Sequence, residues 1–216
     1  MANTTFNGAV RSKNGFEDIT VSAIGAETTN STFSNNTSIG GTLSVSGVSD
    51  LAGNAGPAAG TGITTGTGTI YASTVTQAGG MWHTSILIDL TGLASSGSGD
   101  IIGKAGTASS NIGTTTVALN GTILGGKLTC METPAGGDPD IDLWYADEST
   151  GAEDAAITSL SNQVQMLNSG DLAAGSVLGI PVPPAASKFM YLVTGAATNA
   201  DYTAGKILIE FFGYDA

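Results

Sequence analysis

One cysteine, one histidine and six basic residues among 216 leave most site chemistries without their parts. Cys130 alone admits no intramolecular disulfide, and a single cysteine with a single histidine cannot build a zinc tetrad. Six basic against eighteen acidic residues give a net charge of −12. Such a surface repels phosphate backbones and anionic lipid, so neither nucleic acid nor membrane is an expected partner. No window approaches the roughly 20 apolar residues of a membrane helix, and MANTTFNGAVRSKNGF lacks the apolar core of a signal peptide. Synthesis in the cytoplasm without export is therefore the expectation. Without secretion, the Asn-x-Ser/Thr matches at Asn3, Asn30, Asn35 and Asn36 carry no weight in so Thr-rich a chain.

Charged residues, at 11%, are too few for surface helices, whereas 32 glycines with abundant Thr, Ser and Ala favour strands and turns. The clearest strand signal is MWHTSILIDLTGL, residues 81–93. Trp82, Thr84, Ile86, Ile88 and Leu90 alternate with Met81, His83, Ser85, Leu87 and Asp89, which predicts a central strand with the first set in the core. Other strands are predicted over 17–24, 41–47, 69–75, 100–104, 114–119, 127–132, 138–145, 176–182, 189–194 and 206–214. In residues 155–167, Ile157, Leu160, Val164 and Leu167 fit a helical stripe, while Val164 and Met166 also fit a strand, and periodicity leaves both open. FMYLVT and KILIEFFGY carry apolar side chains on both faces and should be covered on two sides, as a subunit interface would do.

Some ten short strands separated by Gly, Asn and Ser turns, without a fixed repeat, predict an all-β fold: a jelly-roll-like antiparallel β-sandwich over 67–216. Residues 1–66 read as an extended N-terminal arm followed by short strands and a Gly/Thr/Ser-rich segment. Small side chains there bury too little to offset ordering entropy, so 46–68 is expected to be a loop or linker. The arm spaces Phe6, Val10 and Phe16 among Arg11 and Lys13. It either frays or docks on an acidic partner or a neighbouring copy.

Catalytic arrangements fare poorly. His83 and Asp89 lie six residues apart on one strand, about 20 Å, and cannot pair within it. No G-x-S-x-G elbow precedes a helix, and the glycine-rich residues 60–68 lack the Lys-Ser/Thr of a phosphate loop and lead into a strand. Alternating Asp138, Asp140 and Asp142, with Asp147, Glu148, Glu153 and Asp154 behind them, could present hard oxygen ligands to calcium. They lack the EF-hand glycine and glutamate, and carboxylates on an edge strand also deter aggregation. No other cofactor is expected, and no enzyme. Trp144 is the one candidate platform for stacking a sugar.

The run LNSGDLAAGSVLGIPVPPAASKFMYLVTGAATNADYTAGKILIEFFGYD, with SILIDLTGL earlier, resembles the head decoration, or capsid cement, proteins of tailed bacteriophages. Leu172-Ala173-Ala174-Gly175, the proline-rich stretch 180–184, Tyr191-Leu192-Val193 and Thr203-Ala204-Gly205 before an apolar last strand carry the likeness, which covers about residues 67–216. IGGTLSVSGVSDL, outside it, is similar to stalk sequence of phage fibres. The resemblance implies a jelly roll on the outer surface of the virion, bound to the major capsid protein and, as a homo-oligomer, to copies of itself. Phe6, Val10, Arg11, Lys13 and Phe16 become candidate capsid contacts. A tail fibre or a receptor- or carbohydrate-binding component of a virion is the alternative.

Overall fold

Alternating side chains set the strands, and their pairing sets the layers. A computed structural model describes residues 54–215, which belong to the unit Leu51–Ala216. The arm with Phe6, Val10, Arg11, Lys13 and Phe16, the strands predicted over 17–24 and 41–47, and the stalk-like sequence lie outside the described residues. In order, the elements are β1 (Asn54–Ala55), α1 (Thr61–Thr64), β2 (Ile70–Ala78), β3 (Met81–Asp89), β4 (Ala94–Ser95), β5 (Asn111–Thr114), α2 (Val117–Asn120), β6 (Thr122–Ala135), β7 (Ile141–Ala146), a 3₁₀ turn (Ile157–Ser159), β8 (Val164–Leu167), β9 (Val177–Ile180), β10 (Phe189–Thr194), β11 (Ala200–Asp201) and β12 (Ala204–Tyr214).

The protein is all-β, and every described ladder is antiparallel. A six-stranded sheet, β1-β2-β3-β12-β6-β9, faces a four-stranded sheet, β5-β10-β7-β8, and a small β11-β4 pair closes one end. Strand partners nest along the chain: β3 with β12, β5 with β10, β6 with β9 and β7 with β8. Between the sheets lies one apolar core, in which Ile86, Ile88, Ile207, Ile209 and Phe211 of the larger sheet meet Ile112, Leu143, Met190 and Leu192 of the smaller. The β2–β3 hairpin turns on Gly79-Gly80, both at positive φ, flanked by the pair Ala78 and Met81. That is the backbone a two-residue hairpin loop requires.

The predicted strands 189–194 and 206–214 match β10 and β12 closely, and 82–90 matches β3. Trp82 departs from its predicted core position. It is half-buried at the end of the sandwich, and its Nε1–H donates to Asp215 Oδ1 at 2.6 Å, because an indole N–H needs a polar partner. Residues 100–104 form only isolated bridges, from Asp100 to Ala156, Ile101 to Val193 and Gly103 to Ala94. The strand predicted over 114–119 stops at Thr114, because Thr116 accepts from the Leu119 N–H and caps the turn α2. In residues 155–167 the helical stripe does not form: a three-residue 3₁₀ turn at Ile157–Ser159 is followed by the strand β8, which takes up Val164 and Leu167.

Residues 54–66 are not a loose linker. Ile63 is fully buried in the core, and the backbone is tied to a neighbouring segment by Gly60 N–H to Asn111 O and Gly62 N–H to Ser109 O, 2.9 and 3.1 Å. Glycine is needed for that approach, since a Cβ at Gly60 would sit 1.9 Å from Ser109 O. One isoleucine and a ladder of backbone bonds thus do what the small side chains do not.

Candidate interaction surface

The sequence singles out His83 and Asp89, and the structure gives each a different partner. Both project from the outer face of the six-stranded sheet, away from the core. His83 Nε2 is 3.0 Å from Glu210 Oε1, and its ring stacks on Phe212 with centroids 5.2 Å apart. Ser85 Oγ reaches the same Nε2 at 3.5 Å. A nucleophile–base–acid relay needs the serine and the carboxylate on opposite ring nitrogens. Asp89 instead accepts from the Thr91 N–H and hydroxyl and pairs with Lys206 at 3.2 Å. Burial pushes its pKa up, but these hydrogen bonds outweigh burial and hold it below the usual carboxylate range.

Asp138, Asp140 and Asp142 do not converge. Asp138 and Asp140 precede β7, and Asp142 lies on it. Asp138 accepts from the N–H of Asp140 and of Thr198, so it organises the turn beside β11. Asp142 accepts from Gln165 Nε2 and the Ser169 N–H. Only Asp140 keeps a buried oxygen, Oδ1, without a hydrogen-bond donor. Burial, then the charges of Asp142, Asp138 and Asp171, raise the pKa of Asp140. Among the described residues no group of three or more His, Cys, Asp or Glu side chains is placed to hold a metal ion.

Trp144 is half-buried against a second apolar cluster, Ile101, Ala146, Ile157, Tyr191 and Val193. It is therefore not an open platform for a sugar ring. This cluster also answers part of the prediction of double coverage. β10 is enclosed on both sides, but its second cover is the chain's own loops, fastened by Tyr191 Oη donating to Glu148 O at 2.5 Å. A cavity of about 130 Å³ near α2, bounded by Thr115, Val117, Ile123 and Pro184 among others, has no titratable group in its wall.

The remaining face is the outer side of the six-stranded sheet, which no described element covers. Exposed large apolar side chains gather on it, among them Ile70, Met81, Met131, Val177, Phe212 and Tyr214. Leu87 and Leu208, paired across β3 and β12, sit half-buried at its centre. Between apolar rows runs an ionic row, in which Glu210 bridges Lys127 at 2.9 Å and His83 at 3.0 Å. Burial tends to raise the Glu210 pKa, but its bonds from Lys127 and His83 prevail and lower it. Lys206 joins Glu132 at 2.7 Å and Asp89. The face thus holds three carboxylates and two lysines, paired with one another. The rest of the described chain holds eleven carboxylates against Lys104 and Lys188.

Alternation in KILIEFFGY points to half of this face. Ile70, Val177, and Met131 with Lys127 come from three other strands, β2, β9 and β6, whose neighbours only the pairing register reveals. Comparison of the chain with protein-family models, curated proteins and solved structures returns no match.

Proposed function

We propose that this is a virion structural protein, a capsid cement protein that binds the outer surface of a tailed-phage head and stabilises contacts between major capsid subunits. The observation that carries the reading is the division of its surface: one broad, nearly neutral, partly apolar sheet face on an otherwise acidic domain. An association domain needs such a face, because exposed apolar area of this extent is otherwise a liability, while net charge elsewhere keeps decorated particles soluble and mutually repulsive. The nested strand pairing supports the finer reading of the sandwich as a jelly roll with β1 and β2 added at one edge. The likeness of residues 67–216 to head decoration proteins supports the location.

The mechanism is mechanical. Each bound copy adds a modest interface, and many copies bound symmetrically stabilise the shell by mass action and multivalency. The arm around Phe6, Val10 and Phe16 inserts across a neighbouring subunit, with Arg11 and Lys13 paired to acidic groups. A cryo-electron microscopy reconstruction of the parent particle tests the proposal: density for this sandwich on the outer shell supports it, and density on the tail alone overturns it.

A further inference from the structure

We propose that the outer face of the six-stranded sheet is a self-association surface, on which a second copy of this chain packs face to face to give a two-fold dimer. The inference deepens the proposed function: the face joins copies of this chain and leaves contact with the shell to the arm.

Charge points to the copy. Every charged group on the face already has a partner on the same face: Lys127 on Glu210, and Lys206 on Glu132 and Asp89, with the His83 ring also within 3.0 Å of Glu210. With three carboxylates against two lysines, each face carries a single excess negative charge, and that charge lies within the pairs around Lys206; two such faces meet with little repulsion and bury no unpartnered ionic group. Any other pair of surfaces would bring together parts of a domain whose remaining described residues hold eleven carboxylates and two lysines, and like charges across an interface oppose association.

Size and shape agree. The four long strands, β2 and β3 of nine residues, β12 of eleven and β6 of fourteen, give a face about 30 Å by 19 Å at ~3.3 Å per residue and ~4.8 Å between strands. That is roughly 600 Å² per copy and 1,200 Å² in all, at the lower end of what specific stable interfaces bury. Sheets stack about 10 Å apart with strands about 30° from parallel. At that distance the central Leu87 and Leu208 and the flanking Met131 and Phe212 of one copy interdigitate with those of the other. The contact is isologous, so it closes at two.

Sedimentation equilibrium of the full-length protein, from about 1 to 100 μM, tests this. Wild type should sediment as a dimer. Leu208→Glu buries an unpaired charge at the centre and should raise the dissociation constant about a hundredfold or more. Met131→Glu should act in the same direction and, at a position 55% exposed, leaves the fold untouched; thermal melts verify both. Val117→Glu, 53% exposed but off this face, should remain dimeric. A monomeric wild type, a closed trimer, face variants that still dimerise, or equal dissociation by Val117→Glu would each overturn the pairing. A wild-type monomer whose face variants lose binding to heads would assign the face to the shell protein, also overturning it. Solution mass reports the dimer and particle occupancy reports the virion role, so the two can fail separately.

Discussion

Replacing Ile63 with alanine asks whether the low-complexity stretch before β2 belongs to the core. The side chain is fully buried in the cluster that joins the two sheets. Removing three buried carbons there costs the transfer free energy plus that of a cavity, about 2–5 kcal/mol for an isoleucine-to-alanine change. For a domain of this size each kcal/mol lowers the melting temperature by about 2–4 °C, so Ile63→Ala should fall by ~5–15 °C. Ile63→Val should lose about 1 kcal/mol. A flexible linker would instead tolerate either change within about 0.5 kcal/mol. Thermal unfolding followed by circular dichroism reads the difference. A shift below ~2 °C for the alanine variant would refute the argument that Ile63, held by the glycine-dependent bonds of Gly60 and Gly62, closes this end of the core.

Two further outcomes follow from the charges and the arm. Asp140→Asn should stabilise the protein at pH 7. Burial and the neighbouring Asp142, Asp138 and Asp171 raise the folded pKa of Asp140, so its protonated form favours folding below the unfolded pKa and that contribution is lost as pH rises through the folded one. The advantage of asparagine over wild type should therefore shrink as pH falls through the raised folded pKa of Asp140 towards the ordinary carboxylate value, and level off below it; urea midpoints at several pH values check this, and a pH-independent difference contradicts it. Deleting residues 1–16 should abolish occupancy of expanded heads while the melting temperature stays within about 2 °C, as measured by binding of the purified variant to undecorated heads. Unchanged occupancy would remove Phe6, Val10, Arg11, Lys13 and Phe16 as capsid contacts.

Much of the fold was legible where one face is wholly apolar. In β3 the period-two pattern fixes both range and core face, because a one-residue slip would turn its buried isoleucines to water; in β10 and β12, apolar on both faces, the sequence marks the range but not which face meets the other sheet. The pattern failed where local chemistry competed. Thr114 to Leu119 is rich in β-branched residues, yet the Thr116 cap and Gly121 beyond the turn convert half of it into α2. Residues 54–66 looked too small to pack, because composition does not register one buried isoleucine among glycines. The three aspartates alternate in sequence, but Asp138 and Asp140 lie before the strand, and Asp138 and Asp142 are each taken up by local N–H donors. Most of the open face was hidden for a different reason. Its composition depends on β3 and β6 flanking β12, strands about 70 or more residues away in the chain, and alternation within one strand says nothing about which strands are neighbours.

The most direct test of the cement reading is a reconstruction of the parent phage particle at a resolution that separates strands. The sandwich should lie on the outside of the head, at junctions between major capsid subunits, with its carboxylate-rich loops toward solvent. Density for this domain confined to tail or fibre, or a head that lacks it throughout, would rule out the role of capsid cement.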